Sequence, residues 1–163
     1  MSSPLIRNIA PTDLPHILHI QSACYPADLL EDAVTFAAKL QFAPHCNWLI
    51  EMHGQPLGYL FTHPWAGDTP PALNRGDAAW PAQADRFYLH DLAIDPAGRG
   101  LQLGITLAQH ALDWGTAAGF PVAMLVAVGQ ADIFWRKLGF TATAVQDAAL
   151  AQYGNALLMQ KKL

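Results

Sequence analysis

The sequence predicts a mixed α/β sheet of about seven strands with about four helices, and three observations support this. Strand-like alternation and helical periodicity follow one another in the order β-α-α-β-β-β-α-β-α-β-β. Residues 88–120 pass from an alternating apolar strand through a glycine-containing turn into a helix. Residues 122–128 form a near-continuous apolar run, typical of a buried central strand. Together the last two segments predict one parallel crossover in the second half of the chain.

The first third of the chain predicts one strand and two helices. Residues 5–9 form the strand, and Pro11-Thr12-Asp13 is typical of a helix start. Pro26 ends that helix. The second helix is predicted from Glu31 to Leu40, where Glu31 and Asp32 suit the positive N-terminal end of a helix.

Two strands and a long loop occupy the middle of the chain. Residues 48–52 and 57–62 are joined by His53-Gly54-Gln55-Pro56, which is favourable hairpin chemistry. Residues 64–83, with four prolines and two tryptophans, predict a long insertion loop. It is either a partly ordered flap or a simple surface excursion.

The C-terminal part predicts a helix over residues 131–138, ended by Gly139. Residues 140–145 and 156–160 then form an antiparallel pair of strands.

Composition limits the class of protein. The 163 residues predict a single domain spanning 1–163, and 52% hydrophobic against 13% charged residues excludes a disordered chain. A net charge of -4 disfavours nucleic acid and is compatible with a small cationic substrate, without selecting one. No apolar run reaches the ~20 residues of a membrane span, so we expect no membrane association and a cytoplasmic location. Cys24 and Cys46 lack metal-ligand spacing and are expected to be free, and no metal is expected.

The turn over Arg99–Gly104 is suited to an anion. Helix N-termini present N–H groups without intrahelical partners, and glycines let a phosphate approach them. Arg99 adds a charge-assisted contact. An ordinary β-α turn also favours glycine, so the turn alone leaves both interpretations open. A Walker-type loop is excluded because no Gly-Lys-Ser/Thr triplet occurs, and the glycine spacing does not fit a dinucleotide fingerprint.

Two longer motifs together resemble the GNAT acetyltransferases. Leu89-His90-Asp91-Leu92-Ala93-Ile94-Asp95-Pro96 followed by Arg99-Gly100-Leu101-Gln102-Leu103-Gly104 resembles the family pattern L-x-x-L-x-V-x-P leading into R/Q-x-x-G-x-G/A. Ala131-Asp132-Ile133-Phe134-Trp135-Arg136-Lys137-Leu138-Gly139-Phe140 is similar to A-x-x-F-Y-x-K-L-G-F. Their order and separation also fit, and the resemblance covers nearly the whole chain.

The resemblance implies a GNAT fold in which the fourth and fifth strands splay, with acetyl-CoA as co-substrate. Pantetheine would insert between the splayed strands, and the pyrophosphate would lie on the turn. The cofactor-binding residues it implies are Leu92, Ala93, Ile94, Arg99, Gly100, Leu101, Gln102, Leu103, Gly104, Ile105, Phe134 and Lys137.

The sequence departs from the family pattern twice. Gln102 replaces a glycine of the turn, which makes close approach or a positive φ harder there; we expect a slightly reshaped pyrophosphate site. Trp135 replaces the tyrosine thought to protonate the departing thiolate, and an indole is not acidic enough for that. Tyr153, Tyr88 or water could supply the proton instead, or Trp135 could wall the thioester pocket.

The predicted catalytic residues are His90, Tyr88, Leu92 and Trp135. His90 is the candidate base because imidazole titrates near working pH; the alternative is a satisfied polar residue beside a cleft. Strand alternation predicts that Tyr88 and His90 share one face while Asp91 points to the other. In aralkylamine-acetylating members, two histidines are similar in position to Tyr88 and His90. The amide of Leu92 would be the oxyanion donor, by resemblance.

The predicted substrate-binding residues are Tyr25, Asp28, Glu31 and Trp65. Carboxylates and aromatic rings there suit a cationic amine, although Glu31 and Asp32 could equally serve only the helix N-terminus. The resemblance, taken with these residues, implies N-acetylation of a small-molecule primary amine. A protein N-terminal or lysine acetyltransferase and a catalytically silent acetyl-CoA-binding module are the alternatives. A homodimer is left open.

Overall fold

The central element is a seven-stranded mixed sheet, as predicted, and its strands lie in the order β1-β2-β3-β4-β5-β7-β6. The computed structural model describes residues 2–71, 81–144, 151 and 153–163. Its strands are β1 (Leu5–Asn8), β2 (Asn47–Met52), β3 (Gln55–Trp65), β4 (Arg86–Ile94), β5 (Val122–Val128), β6 (Thr141–Ala142) and β7 (Ala156–Lys162). Its helices are α1 (Leu14–Cys24), α2 (Ala33–Phe42), α3 (Leu103–Ala117) and α4 (Asp132–Lys137).

The parallel pair is β4 and β5, joined by the predicted crossover through α3. Every other neighbouring pair is antiparallel. β5 is central, as its apolar run predicts, because β4 and β7 pair with its two edges. The predicted antiparallel pair at the C-terminus is β6 with β7, although Val145 lies outside the described residues.

Two hydrophobic layers cover the sheet. On one face, α3 and α4 pack on residues such as Leu60, Leu89 and Leu125. Gly115 of α3 lies so close to β4 that an added Cβ would approach the ring of Phe87 to 2.7 Å. On the other face, α1 and α2 pack on a second cluster that includes Tyr59. The candidate site lies in β4 between these two layers.

Several predicted boundaries differ from the structure, and two of them bear on the site. α2 begins at Ala33, two residues later than predicted, because Asp32 is its N-cap and accepts a hydrogen bond of 2.8 Å from Thr35 N. Glu31 therefore lies before the helix. β3 continues through Trp65, so the loop predicted to start at residue 64 starts at 66. The loop's second tryptophan, Trp80, falls outside the described residues.

Candidate functional site

The site is built around a bulge in β4. Phe61 of β3 pairs with Asp91, and the next residue, Thr62, pairs with Leu89. His90 is therefore the extra residue that the ladder skips. A bulge bends its strand and redirects its side chains, and here it does so at the predicted base.

The bulge corrects one prediction. Tyr88 and His90 share a face as expected, with ring centroids 6.1 Å apart. Asp91 does not point to the opposite face. It accepts a 2.8 Å hydrogen bond from Tyr59, which belongs to the layer under α1 and α2. The prediction was wrong because strict alternation fails where one strand carries an extra residue.

Beyond the bulge, β4 and β5 separate, as the predicted splay requires. Their pairing ends at Leu89 and Leu125. Between the separating strands lies a cavity of about 240 Å³. It is lined by Tyr25, Leu89, His90, Leu92, Ile94, Gly104, Leu125, Val126, Val128, Ala131, Phe134 and Trp135. An extended chain could enter here and use backbone groups that β5 leaves unpaired.

Leu92 directs its backbone into this gap. The Tyr25 hydroxyl donates a 2.8 Å hydrogen bond to the Leu92 carbonyl oxygen, so this oxygen points away from β3. The N–H and C=O of one strand residue point the same way. The Leu92 N–H therefore also faces the space between β4 and β5.

The turn before α3 forms an open cradle of about 370 Å³. It is lined by Ile94, Gly98, Arg99, Gly100, Gln102, Leu103, Gly104, Ile105 and Phe134. Gln102 is the N-cap of α3 and has φ 58°, so this non-glycine residue does adopt the left-handed conformation that its side chain disfavours. The first N–H groups of α3 lie beyond it and lack intrahelical acceptors.

These features fit a CoA pyrophosphate. Gly100 also has a positive φ of 81°, and an added Cβ there would meet nothing within 4 Å. The backbone at the turn is thus open to a ligand. Arg99 is exposed and lines the cradle, where it can add positive charge.

Below the splay, His90 makes a buried contact with a carboxylate that the sequence did not predict. Its Nε2 contacts Glu31 Oε1, and each side chain is only 2% exposed. Nδ1 of the same ring is buried and has no hydrogen-bond partner among the described residues. The predicted base is therefore held by a carboxylate through one nitrogen, which leaves the other for proton transfer.

Glu31 also contacts a buried cation and is held through its backbone. Its Oε2 lies 3.8 Å from Lys39 Nζ, and burial is the main cause that lowers the pKa of Lys39. The Gln21 side chain of α1 donates to the Glu31 carbonyl at 3.0 Å and accepts from its N–H at 2.8 Å. Neither Lys39 nor Gln21 was predicted, because a single polar residue in a helix normally indicates the solvated face.

Aromatic and imidazole rings surround His90 on the same face. The His63 ring lies 5.2 Å from Tyr88 and 6.2 Å from His90. Burial lowers the pKa of His63 well below 6.5, and the nearby His90 adds to this, so His63 is neutral at pH 7. Burial raises the pKa of Asp91, with the Tyr59 hydrogen bond and His90 opposing that shift.

Two further cavities extend toward the predicted acceptor side. A small one of about 50 Å³ is lined by Tyr25, Leu29, Glu31, His90, Asp91, Val126, Val128 and Tyr153. A larger one of about 630 Å³ is bordered by Tyr25, Asp28, Leu92, Arg99 and Tyr153, among others. Tyr25 lines all three cavities at the splay and below it, so it lies where they meet.

Trp135 packs in the core and also borders the splay cavity. It is 7% exposed, and its ring lies 4.9 Å from Phe134 and 5.4 Å from Phe140. This location fits the wall role among the predicted alternatives. Tyr153, by contrast, presents a phenol near the site; its hydroxyl donates to Pro71 O at 2.9 Å.

Four predicted residues lie apart from the cavities described above. Lys137 is exposed on α4, and Leu101 is 51% exposed at the turn. Trp65 ends β3, where its indole donates to Thr69 O at 2.7 Å. Tyr88 is fully buried among Met124, Leu158 and the rings around His90.

The described part of the chain lacks both a metal-binding cluster and a membrane-spanning helix. Among residues 2–71, 81–144, 151 and 153–163, no cluster of three or more His, Cys, Asp or Glu side chains could hold a metal ion. No helix within those ranges is long and apolar enough to span a bilayer.

A seven-stranded sheet with a splayed parallel pair and a phosphate-type turn defines the acyltransferase class that the motifs predict. Residues 14–140 match the acetyltransferase (GNAT) family. The chain belongs to this family, and the predicted fold is confirmed. The predicted co-substrate, acetyl-CoA or CoA, is confirmed with it.

Solved structures share the fold at low sequence identity. The loading GNATL domain of CurA from Lyngbya majuscula has a TM-score of 0.85 and 11% identity, covering 99% of this chain and 98% of that one. The ribosomal-protein-S18-alanine N-acetyltransferase of Escherichia coli has a TM-score of 0.73 and 19% identity, covering 98% of this chain and 94% of that one. The PaiA N-acetyltransferase of Thermoplasma acidophilum, in complex with coenzyme A, has a TM-score of 0.72 and 15% identity, covering 99% of this chain and 100% of that one. No curated protein sequence matches the chain.

Proposed function

We propose that the protein is an acetyl-CoA-dependent N-acetyltransferase that acts on the primary amine of a small molecule. The observation that carries this proposal is the buried His90–Glu31 pair at the point where β4 leaves β5. A base held by a carboxylate beside a thioester cavity is what amine acetylation needs, because an alkylammonium must lose a proton before it attacks.

His90 is the proposed base, acting through Nδ1. With Glu31 ionised, Nε2–H donates to Oε1, and this bond fixes the tautomer in which Nδ1 carries the lone pair. The adjoining cavity of about 50 Å³ is large enough for water. A water molecule there can carry the proton from the ammonium to the buried Nδ1.

The free amine then attacks the thioester carbonyl directly. The Leu92 N–H, which faces the gap between β4 and β5, is the proposed donor to the developing oxyanion. The carbon–sulfur bond breaks as the amide forms, and the thiolate takes up a proton. Tyr153, which lines the small cavity beside His90, is the proposed proton donor in place of the family's tyrosine, and the proton that the attacking nitrogen loses as the amide forms returns to its phenol.

The acceptor side supports a small cationic substrate. A cavity of about 630 Å³ falls within the usual size range of small-molecule sites. Tyr25 and Tyr153 contribute rings that an arylalkylamine can stack on, and Asp28 places a carboxylate on the same cavity.

A transfer assay tests this function against the two alternatives. CoA release from acetyl-CoA is measured with an arylalkylamine panel, with peptides bearing free N-termini or lysines, and without acceptor. We expect release that depends on a small amine, with the acetylated amine found by mass spectrometry. Acetylation of peptides alone would show a protein acetyltransferase. CoA binding without turnover on any acceptor would show a silent binding module.

A further inference from the structure

The Glu31 carboxylate lies between the imidazole of His90 and the ammonium of Lys39, and the proposed mechanism assigns a role only to His90. His90 contacts Oε1, and Lys39 Nζ lies 3.8 Å from Oε2. The Lys39 side chain is only 4% exposed, and a lysine is rarely buried to this extent unless it is paired. The carboxylate therefore connects α2 to the bulge of β4 through charge.

Titratable groups face His90 from each element packed against it. Glu31 precedes α2 and Lys39 lies on it; His63 is on β3, and Tyr25 follows α1. The others are Tyr88 and Asp91 of β4, and Tyr153 before β7. Among these described groups, Lys39 places its ammonium against the carboxylate that contacts His90.

We propose that Lys39 is a positioning residue that controls the protonation of His90 through Glu31. This inference rests on the proposed function, in which His90 must be neutral to accept a proton. A lone buried carboxylate beside His90 would stabilise the imidazolium and leave no free base. An ammonium on the other carboxylate oxygen offsets that negative charge, so the imidazole stays neutral at a lower pH.

Gln21 keeps this arrangement fixed. Its carboxamide holds both the N–H and the C=O of Glu31. Since Glu31 lies in the segment before α2 rather than within a helix, these two hydrogen bonds define where the carboxylate lies between Lys39 and His90. The charge of Lys39 therefore acts at a set distance.

Histidine side-chain NMR across pH tests the inference without a substrate. Lys39→Met should raise the midpoint of the His90 titration by about one pH unit, because Glu31 then loses the ammonium that offsets part of its negative charge. Glu31→Gln should lower it, because the ammonium then faces the imidazole without a carboxylate between them. The signal is assigned by its loss in His90→Gln.

Two further variants serve as a control and as a substitute if Lys39→Met does not fold. Lys162→Met, an exposed lysine on β7, is the matched control and should keep the parent's midpoint. If Lys39→Met does not fold, Glu31→Gln/Lys39→Met removes both members of the Lys39–Glu31 pair, and its midpoint should lie above that of Glu31→Gln. An unchanged or lowered midpoint on removal of Lys39 overturns the inference.

The same variants separate this inference from the proposed function. In the acetylation assay, Lys39→Met should move the acidic limb of the pH–rate profile upward by the same amount as the NMR midpoint. If the midpoint moves and no amine is acetylated, the control by Lys39 stands and the proposed function fails. If amines are acetylated and neither quantity moves, the function stands and Lys39 has no such role.

Discussion

At the scale of single residues, Gln102 combines an unfavourable backbone conformation with a place at the CoA turn. Its φ of 58° is one of two positive values at non-glycine residues in the described chain; the other is 54° at His53. Left-handed backbone costs roughly 1–2 kcal/mol for a residue with a side chain. Two explanations account for a glutamine at this position. Either its side chain contacts CoA, or the side chain contributes nothing to CoA binding.

Gln102→Gly decides between these. If only the backbone binds the pyrophosphate, CoA affinity should equal or exceed the parent's, and the free energy of unfolding should rise by up to about 1 kcal/mol. Calorimetric titration and chemical denaturation measure the two quantities. His53→Gly, remote from the turn, is the matched control for stability without an effect on affinity. A loss of more than about tenfold in affinity, roughly 1.4 kcal/mol, would show that the glutamine side chain contacts CoA.

His63 gives the protein a dependence of stability on pH. Since burial lowers the pKa of His63 well below 6.5, the unfolded chain takes up a proton before the folded chain does. Its contribution is fully present above about pH 6.5 and falls as the pH drops, by up to about 1.4 kcal/mol per pH unit. His63→Gln should therefore show a shallower loss of unfolding free energy between pH 6.5 and 5, measured by urea denaturation. The exposed His45→Gln should keep the parent's slope, and equal slopes for parent and His63→Gln would contradict the assignment.

At the scale of elements, α3 and its turn form the proposed binding site for the CoA pyrophosphate. Gly104 lies in the first turn of the helix and borders both the splay cavity and the cradle. An added Cβ would already contact Phe134 at 3.4 Å, and the two methyl groups of a valine would extend beyond it.

Gly104→Val should weaken CoA binding at least tenfold while the protein still folds. The reason is steric, because a helical side chain covers the turn N-terminal to its own Cα, where the N–H groups lie. The measurement is the rise in melting temperature with saturating CoA, which for the parent corresponds to about 2.7 kcal/mol at a hundredfold excess over Kd. Ala117→Val, exposed at the far end of α3, should keep the parent's rise. An equal rise in Gly104→Val would exclude this turn as the pyrophosphate site.

The bulge in β4 shows where sequence reasoning about an element fails. The pattern over residues 86–94 predicts the strand correctly, and the shared face of Tyr88 and His90 follows from a period of two. The extra residue of the bulge interrupts that period at one point, and no residue pattern in the strand's sequence indicates where this happens. Asp91 was misplaced for this reason, although its burial beside Tyr59 follows directly once the pairing with Phe61 is known.

At the scale of the whole molecule, the mixed sheet, the crossover and the splay could be predicted because each depends on a local pattern or on the two family motifs. The network of buried polar contacts around Glu31 and His90 could not be predicted. Gln21, Lys39 and His63 are separated by long stretches of chain, and only the packing of α1, α2 and β3 against β4 brings them together. Glu31 was predicted as a substrate residue or a helix-end charge, whereas the structure buries it against His90.

The central claim is that His90 is the base for amine acetylation, and one measurement tests it most directly. The pH–rate profile of acetyl transfer is recorded for the parent and for His90→Gln, with one amine that the parent acetylates. Glutamine keeps hydrogen bonding and does not titrate near neutral pH. We predict a rate lower by ~10²–10⁴-fold, partly restored at high pH where the amine is already free, with CoA affinity unchanged. An unaltered rate and pH profile in His90→Gln would contradict the account and place the base elsewhere.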